Sequence, residues 1–422
     1  MTKQQRAARG EWISFLFCLL YFTSYMTRKS FGAIKLGLPA GYLTEEQVGL
    51  IGSALFFAYG LGQLVSGVLG DRFDPRRLIL WGLGTTAVCN AVFPFIHSVP
   101  VLIVLWAVNG FAQAMFWPPL VKLATVYFKG DRYTRVSMRM SMAAQIALLA
   151  VFGLSSLAIR LSVWWSVFAV ATALAIGTAV ALVIGFRAME RRYPGAVEAA
   201  MRAKTAKASS DEPTAAQPSG HGLWAVMLAS GLLFVFVMTA TLGFLRDGLE
   251  EWLSTYLCDT FSLAADLSTL LNVVMPVFSM ICVRVTTRLY LNVFHDEIKQ
   301  TLAVVGITVA AIASLALFGH VSLWLAVILL MLAVGCIHAA NTCLTCYLPA
   351  RYEATGKVST VAGLVNAFTY VGSTVATTAM PYLFGRYSWG VALWASAAVG
   401  VLCLLCAVLM LRPWRKWLQK GA

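Results

Sequence analysis

Three cationic side chains lie within stretches of this sequence that are otherwise strongly apolar. Arg28 and Lys29 lie near the end of the first apolar run, residues 12–38, and Arg246 lies in a later one. A charged side chain at the centre of a bilayer costs roughly 2.5–3.5 kcal/mol, so such residues usually face a bundle interior or an aqueous cavity. Guanidinium groups offer a planar fork of donors to phosphate or carboxylate oxygens. The three residues therefore predict a buried anion-binding site.

The composition determines which elements can hold these residues. The chain has 422 residues, of which 59% are hydrophobic and only 12% are charged, and no soluble class has this balance. A helix needs about 20 apolar residues to cross the hydrocarbon core. Such runs predict an all-α membrane protein with twelve transmembrane helices in two six-helix half-bundles. We place these spans near residues 12–38, 47–70, 77–96, 99–128, 132–160, 163–186, 222–257, 262–288, 300–317, 321–348, 357–384 and 388–411.

The distribution of basic residues predicts the orientation of these helices. Most of the 32 Lys and Arg residues fall at the termini and in the connections that follow even-numbered spans, whereas Lys35, Arg160 and Arg386 flank the opposite side. Basic loops stay on the cytoplasmic side, so both termini are expected to be cytoplasmic. The net charge of +14 is then explained by loops next to anionic lipids, and we expect no nucleic-acid partner.

A polar segment divides the predicted spans six and six. Residues 187–221 are rich in charged residues, Pro, Ser and Ala, which is typical of a linker. We therefore predict an N-terminal six-helix bundle at residues 1–186, a cytoplasmic linker at 187–221 and a C-terminal six-helix bundle at 222–422. The substrate site is expected between these halves, near the midplane of the membrane.

The connection between spans 2 and 3 carries a recognisable motif. It reads Gly67-x-x-x-Asp71-Arg72-x-x-x-Arg76 and resembles the cytoplasmic signature of the major facilitator superfamily. Gly67 would allow close helix contact, and Asp71 could accept hydrogen bonds from a helix N-terminus. The resemblance implies the major facilitator fold and a conformational latch made by Asp71, Arg72 and Arg76. A polar loop that only stops the helix is the alternative.

A narrower resemblance concerns the polar residues inside the spans. Span 1 contains Tyr21-Phe-Thr-Ser-Tyr25-Met-Thr-Arg28-Lys29, which resembles span 1 of the organophosphate:phosphate antiporter family. This family includes glycerol-3-phosphate, hexose-phosphate and phosphoglycerate transporters. Further segments match the family at its spacing: Tyr59-Gly60, Asn109-Gly-x-x-Gln113-x-x-x-Trp117-Pro118-Pro119, Arg246-x-Gly248-x-x-Glu251-Trp252 and Phe368-x-Tyr370-x-Gly372.

The resemblance implies different roles for the two adjacent cations of span 1. Arg28 and Arg246 fall on the two family arginines that hold the phosphate group, one from each half. Lys29 points about 100° away from Arg28 around the helix, so both cannot face the ligand equally. Glu251 aligns with an acidic family position and is the expected ion-pair partner of Lys29.

Two tyrosines share the helix face of Arg28. Tyr21 and Tyr25 could donate hydrogen bonds to the substrate, although aromatic residues at this spacing could also be packing residues. The residues expected to contact the substrate are Arg28, Arg246, Tyr21, Tyr25, Gln63, Gln113, Trp117, Arg139, Asn366 and Tyr370. The residues expected to form gating or ion pairs are Lys29, Glu251, Asp71, Arg72 and Arg76.

Several positions depart from the family pattern. Gln63 stands where the family has a lysine in span 2, so one countercharge is missing. Ala143 and Gly243 replace a histidine and a tyrosine, and a segment around His338 replaces a Gly-Pro pair. Arg139, one turn before Ala143, could restore a cation or could lie at the cytoplasmic end and extend to the interface. His338 could be a packing residue or a proton carrier.

Together these features predict a secondary transporter that works by alternating access. It would move a phosphorylated organic anion, such as a sugar phosphate or glycerol phosphate, in exchange for inorganic phosphate. Two alternatives stay open: a proton-coupled symporter for a carboxylate or phosphonate, and a transporter-like membrane sensor of a sugar phosphate. The sequence has no nucleotide-binding loop and no plausible catalytic triad, so no enzymatic activity is predicted.

The remaining expectations concern cofactors, partners and location. The nine cysteines are scattered through the spans, so we interpret them as packing residues and expect no metal, cofactor or disulfide framework. The expected partners are the organic anion, inorganic phosphate and the lipid bilayer. The fold needs no second subunit, so a monomer is expected to function. We expect a multi-pass protein of a bacterial inner membrane.

Overall fold

The computed structural model describes residues 3–128, 131–195, 197–198, 230–352 and 358–419, and within the helices the side chains of a few residues also fall outside the description. The helices are α1 (Lys3–Ile34), α2 (Glu45–Arg72), α3 (Pro75–Val92), α4 (Val99–Gln113), α5 (Trp117–Tyr127), α6 (Asp131–Arg160), α7 (Trp165–Arg192), α8 (Leu232–Phe261), α9 (Ala265–Leu271), α10 (Val274–Leu289), α11 (Glu297–Phe318), α12 (Leu323–Thr342), α13 (Leu348–Ala350), α14 (Val358–Arg386) and α15 (Trp389–Gln419). Short 3-10 or π turns follow α1, α3, α10, α11 and α12.

Ten segments of the described chain are long and apolar enough to cross a membrane. Two further long helices, α1 with 32 residues and α14 with 29, are not among them. Both are more polar: α1 contains Arg28 and Lys29, and α14 contains a series of Ser and Thr residues. Polar residues inside a bundle make a helix less apolar without exposing them to lipid. Ten of the twelve predicted spans therefore coincide with segments that are long and apolar enough to cross a membrane, and the first and eleventh stay predictions.

Two of the predicted spans are each broken into two helices. The span near 99–128 consists of α4 and α5, and Pro118 and Pro119 lie in the first turn of α5. Proline has no N–H, so an unbroken helix could not bond to the carbonyls of residues 114 and 115. The span near 262–288 consists of α9 and α10, and Pro276 lies in the first turn of α10. The prolines thus explain both breaks.

The helices form two halves, each with its own apolar core. Helices α1 to α7 contribute the buried clusters of the N-terminal half, and α8 to α15 contribute a separate large cluster. The halves pack against each other along α2 and α14 and along α6 and α9. Helix α7 continues beyond the predicted boundary at residue 186 to Arg192. Most of the predicted linker, 187–221, lies outside the described residues, so the predicted domain limits stay a prediction.

Helices α8 and α14 cross at a distance that only glycine allows. A Cβ atom at Gly243 on α8 would clash with the carbonyl oxygen of Thr369, and one at Gly372 on α14 would clash with the carbonyl oxygen of Ala240. Backbone atoms cannot move aside as a flexible side chain can. This packing gives a physical reason for glycine at position 243, where the family pattern has tyrosine. It also brings Arg246 on α8 close to α14.

A third close approach joins the two halves. A Cβ atom at Gly49, near the start of α2, would clash with the carbonyl oxygen of Thr377 on α14. We call the end of the bundle where α1 ends and α2 begins the distal end; the charge distribution predicts that it is extracytoplasmic. Glycine at position 49 therefore allows the two halves to close at the distal end.

We expect Gly49→Ala to shift the protein towards conformations that are open at the distal end, because the added methyl group forces α2 and α14 apart. Spin labels at the exposed positions Glu46 and Tyr387 would report this as a longer distance in pulsed electron paramagnetic resonance. Gly84→Ala is the matched control, because a Cβ there meets nothing within 4 Å. Identical distance distributions for Gly49→Ala and the wild type would contradict the prediction.

Candidate anion-binding site between the halves

Hydrogen bonds to neighbouring helices fix the rotation of α1 around its axis. Ser30 Oγ donates to Asn90 Oδ1 on α3 at 2.8 Å, and Asn90 Nδ2 donates to the backbone oxygen of Thr27 at 3.2 Å. Gln113 Nε2 on α4 donates to Thr27 Oγ1 at 2.8 Å. These bonds use the polar residues on either side of Arg28. They direct Arg28 away from α3 and α4.

Arg28 lies between two tyrosine rings and has an unsatisfied donor. Its guanidinium carbon lies 4.2 Å from the ring centroid of Tyr25 and 5.1 Å from that of Tyr59 on α2. Its Nε is buried and has no hydrogen-bond partner, and no described carboxylate pairs with it. A buried donor without a partner costs about 1–3 kcal/mol. The side chain is thus positioned by stacking, and its positive charge is available to a ligand.

Arg246 of the other half is already paired with its sequence neighbour. Its Nε and Nη2 donate to the two carboxylate oxygens of Asp247 at 3.1 and 2.7 Å, and both side chains are largely buried. Ser373 Oγ on α14 lies 3.5 Å from Nη2. The guanidinium group of Arg246, which was predicted to bind phosphate, therefore binds the carboxylate of Asp247 in this structure. An incoming anion would compete with Asp247 for this guanidinium.

Two tyrosines in edge-to-face contact connect the arginines across the halves. The rings of Tyr59 on α2 and Tyr370 on α14 lie 4.6 Å apart, and the Arg246 guanidinium carbon lies 5.8 Å from the Tyr370 centroid. Gly60 permits this contact, since a Cβ there would lie only 3.2 Å from Tyr370 Cβ. Tyr59 was absent from the predicted contact set, although the Tyr59-Gly60 match was a signal for it. A continuous series of side-chain contacts therefore spans the interface between the halves, through Arg28, Tyr59, Tyr370 and Arg246.

The other aromatic residues of the predicted set extend from Arg28 along α1. The rings of Tyr21 and Tyr25 lie 5.4 Å apart, and Tyr21 lies 4.9 Å from the ring of Trp117 at the start of α5. Because α5 begins at Trp117, the helix break at Pro118 helps to place this indole against α1. Tyr21, Tyr25 and Trp117 thus form one aromatic wall next to Arg28.

Gln63 and Asn366 lie one helical turn from the bridging tyrosines. Gln63 follows Tyr59 by four residues on α2, and Asn366 precedes Tyr370 by four on α14, so each shares a helix face with its tyrosine. Gln63 Nε2 is buried and has no hydrogen-bond partner. Like Arg28 Nε, it is a donor for which the described residues provide no acceptor.

Two residues of the predicted contact set are engaged elsewhere. The amide nitrogen of Gln113 is bound to Thr27, so this buried side chain holds α1 and α4 together. Arg139 forms an ion pair with Glu11 on α1, and about half of each side chain is exposed. The structure does not bring Arg139 to Arg28 or Arg246. Its partner lies 128 residues earlier in the chain, which no local pattern indicates.

The distal end of the bundle is closed by residues that we call the distal gate: Lys29, Lys35, Ser53, Glu251, Trp252 and Thr377. Lys29 Nζ donates to Glu251 Oε1, the expected partner on α8. Lys35 Nζ donates to the backbone oxygen of Glu251 at 2.6 Å and lies 3.4 Å from the Trp252 ring centroid. Two hydroxyl groups of the distal gate also lie within hydrogen-bond distance, because Ser53 Oγ is 2.6 Å from Thr377 Oγ1.

A small cavity lies behind the distal gate. It measures about 40 Å³ and is lined by residues that include Arg28, Lys29, Lys35 and Glu251. This volume holds a few water molecules but no sugar phosphate, since one water needs about 10–15 Å³ on this measure. A substrate therefore cannot pass Arg28 towards the distal end until the gate opens.

The predicted latch residues have different outcomes. The side chains of Asp71 and Arg72 lie outside the described part of the molecule. Arg76, at the start of α3, forms ion pairs with Asp74 at 2.8 Å, with Glu190 at 2.6 Å and with Glu198 at 2.6 Å. Glu190 belongs to α7, so Arg76 ties the first turn of α3 to the end of α7 within the N-terminal half.

A second acid on α8 has a partner that the sequence did not indicate. Glu250 Oε2 lies 3.4 Å from His338 Nε2 on α12, and Glu250 is largely buried. Three acids of α8 thus have three different partners: Asp247 pairs with Arg246, Glu250 with His338 and Glu251 with Lys29.

Comparison with solved structures supports the fold. The chain is similar to the nucleoside transporter NupG, with a TM-score of 0.73 over 94% of this chain and 99% of that chain, at 12% sequence identity. At this identity the likeness concerns the fold alone.

Curated relatives are bacterial. The chain is 36% identical over 116 residues to a probable hexose phosphate transport protein of Chlamydia trachomatis, covering 27% of this chain and 25% of the relative. It is 36% identical over 109 residues to the membrane sensor protein UhpC of Salmonella typhimurium, covering 26% of this chain and 25% of the relative. It is 29% identical over 123 residues to the glycerol-3-phosphate transporter of Bacillus subtilis, covering 28% of each. Each match thus spans about a quarter of the relative.

These matches confirm the resemblance to the organophosphate:phosphate antiporter family and the expectation of a multi-pass membrane protein of the bacterial inner-membrane type. The family model described as Major Facilitator Superfamily matches residues 17–366, which is most of the chain. This protein belongs to the Major Facilitator Superfamily.

Proposed function

We propose that this protein transports a phosphorylated organic anion across the membrane by alternating access. The observation that carries the proposal is the connection of Arg28 and Arg246, one from each half, through the edge-to-face rings of Tyr59 and Tyr370. Arg28 Nε and Gln63 Nε2 are buried donors that wait for an acceptor. Phosphate oxygens are suitable acceptors for both donors, because a hydrogen bond to a charged phosphate oxygen is charge-assisted. The names of the relatives support the same class of substrate.

The closed distal gate suggests the order of movements. An anion enters from the end opposite to the distal gate and contacts Arg28 and Arg246 between the halves. The halves then close behind it, and the Lys29–Glu251 pair separates as the distal end opens. The anion is held by both halves, so it favours the conformations in which they approach each other at its level.

We further propose that the organic anion exchanges for inorganic phosphate. Without a ligand, the charge of Arg28 is uncompensated in a site of low polarity, and this opposes closure of the halves around it. Either phosphate species supplies the missing negative charge. In vesicles loaded with phosphate, uptake of radiolabelled glycerol 3-phosphate or glucose 6-phosphate should therefore exceed uptake into unloaded vesicles. Equal uptake into both would contradict exchange.

One observation favours a second candidate, a proton-coupled symporter for an organic anion. Asp247 already pairs with the guanidinium group of Arg246. A ligand therefore has to supply less negative charge to neutralise the site than it would if both arginines were unpaired. An inward proton gradient would then drive uptake into vesicles that contain no phosphate. Gradient-driven uptake without internal phosphate supports symport, and uptake that requires internal phosphate supports exchange.

The similarity to a membrane sensor favours a third candidate, a sensor that binds a sugar phosphate without moving it. The same vesicles separate this from transport. Binding of glucose 6-phosphate to the purified protein, with no uptake under either gradient, would support the sensor and contradict the proposal.

We expect Gln63→Lys to shift selectivity towards dianionic phosphate monoesters, because the buried amide is replaced by a cation. A hydrogen bond to a charged group contributes about 1.5–3 kcal/mol, so the affinity ratio of glycerol 3-phosphate to monoanionic dimethyl phosphate should rise about tenfold or more. Gln63→Glu is the opposite-sign control and should lower the ratio. If neither variant changes the ratio, Gln63 lies outside the site.

A further inference from the structure

We propose that a groove on the outer face of the N-terminal half binds one anionic phospholipid, with the lipid phosphate at Arg77 and an acyl chain between α3 and α4. The groove has a volume of about 790 Å³, within the range of about 300–1,000 Å³ that is typical of small-molecule sites. It shares no lining residue with the cavity behind the distal gate, and none of its residues belongs to the proposed anion site, so the inference goes beyond the proposed function. Its walls include Arg77, Trp81, Gly84 and Val88 on α3, and Val104 and Val108 on α4.

The groove is open because the middle of α3 carries no side chain on this face. Arg77, Trp81, Gly84 and Val88 recur every three or four residues, so they share one face of α3. A Cβ atom at Gly84 would meet nothing within 4 Å, so no described residue fills the space in front of it. Val88 and Val104 are 60% and 62% exposed and form apolar walls. The space is therefore suited to an apolar chain.

The length of the groove matches one leaflet of a bilayer. Cys89, the lining residue of α3 that is furthest from Arg77, follows it by twelve residues, and such a stretch of α-helix spans about 18 Å. The hydrocarbon core is about 30 Å thick, so one leaflet contributes about half of that. Helix α3 begins at the end opposite to the distal end, and the charge distribution predicts that this end is cytoplasmic. A lipid of the cytoplasmic leaflet thus places its headgroup at Arg77 and its acyl chain along the groove.

Charge complementarity favours an anionic headgroup. The side chain of Arg77 is exposed, and no described carboxylate pairs with it, whereas three acids pair with its neighbour Arg76. Trp81, one turn further along α3, is 77% exposed, and indole groups favour the interface between headgroups and acyl chains. A guanidinium group binds phosphate oxygens through two parallel hydrogen bonds. The cation, the indole and the apolar groove thus follow one another in the same order as the parts of a phospholipid.

Native mass spectrometry of the purified protein tests the site, after equilibration with equal amounts of phosphatidylglycerol, which is anionic, and phosphatidylethanolamine, which has no net charge. The wild type should retain one lipid molecule, with a preference for phosphatidylglycerol. A basic residue near a membrane surface raises the affinity for anionic lipid about fivefold, so Arg77→Gln should lower the ratio of the two retained lipids by about that factor. Gly84→Leu should lose most of the retained lipid of either kind, because the leucine side chain fills the groove.

Helix α7 provides matched controls for both variants. Arg187 is an exposed arginine of α7, and a Cβ atom at Gly177 on the same helix also meets nothing within 4 Å. Arg187→Gln and Gly177→Leu should therefore retain lipid like the wild type. Val104→Trp fills the groove from α4 and should lose lipid as Gly84→Leu does, so the result does not depend on the folding of one variant.

Three outcomes would overturn the proposal. The first is equal lipid retention by the wild type and both groove-filling variants, Gly84→Leu and Val104→Trp. The second is a wild type that retains the two lipids equally, or a ratio that Arg77→Gln leaves unchanged, because the groove would then take lipid without regard to charge. The third is a lipid-free dimer that Gly84→Leu dissociates, which would assign the groove to a second copy of this chain. None of these results affects the proposed function, which the uptake of phosphorylated anions tests separately.

Discussion

Arg28→Lys is expected to reduce transport of phosphorylated anions to background while the protein stays folded. Lysine keeps the positive charge but loses the planar fork and the stacking on Tyr25 and Tyr59. Each charge-assisted hydrogen bond that is lost weakens binding by about 1.5–3 kcal/mol, or roughly 10- to 150-fold. Because the arginine contacts rings from both α1 and α2, the lysine ammonium would also lose its fixed position.

The measurement is uptake into vesicles together with the affinity of the purified variant for inorganic phosphate. Arg160→Lys is the matched control, because Arg160 is an exposed arginine at the end of α6. An unchanged thermal unfolding profile would separate loss of function from loss of fold. Normal uptake by Arg28→Lys would remove the core of the proposed function.

Arg246→Lys should also abolish transport, but its binding defect should depend on Asp247. In the ligand-free protein the Arg246 fork is paired with Asp247, and a lysine can keep that ion pair. The anion must therefore displace a carboxylate at Arg246, whereas no described carboxylate pairs with Arg28. The two arginines therefore differ in their partners. Arg246 is paired with Asp247, and Arg28 is the one whose positive charge has no described carboxylate partner.

The sequence predicted the parts of the site that follow from the cost of burying charge. Placing a charged side chain in a membrane costs free energy, so the approximate location of Arg28, Arg246 and Lys29 between the two halves could be inferred. The pairing of Lys29 with Glu251 could be inferred for the same reason. The crossing of α8 and α14 was visible only as an unexplained glycine at position 243. Its meaning depends on a carbonyl oxygen of α14 that no local pattern reveals.

The remaining features depend on choices between partners that the sequence does not rank. Arg246 could have faced an empty cavity, but the carboxylate of its neighbour Asp247 accepts hydrogen bonds from its guanidinium group. Arg139 lies on the helix that carries the family histidine position, but its partner Glu11 lies on α1, 128 residues earlier in the chain. Glu250 pairs with His338 because α8 packs against α12. Such pairings are set by tertiary packing, so residue spacing alone could not have predicted them.

Lys29→Met is expected to open the distal gate, because it leaves Glu251 buried without its cation. Breaking a buried ion pair by removing one partner costs about 3–5 kcal/mol. The carboxylate can regain solvation if the distal end opens. A cysteine at Val48, which lines the cavity behind the gate, would report this opening. Its labelling by a membrane-impermeant thiol reagent, read by mass spectrometry at that residue, should rise about tenfold or more.

The double variant Lys29→Met with Glu251→Met separates a gate from a merely structural pair. Replacing both charges of a buried pair with apolar residues is often neutral or stabilising, so the distal end should close again and labelling at position 48 should return to the wild-type level. Transport should stay low, because an apolar contact opens less readily than an ion pair that can be solvated. The exposed Arg139–Glu11 pair gives the control, since Arg139→Met should leave this labelling unchanged. If both single and double variants label like the wild type, the pair holds the helices together without controlling access, and the opening of the distal end must depend on the hydroxyl contacts of Ser53 and Thr377.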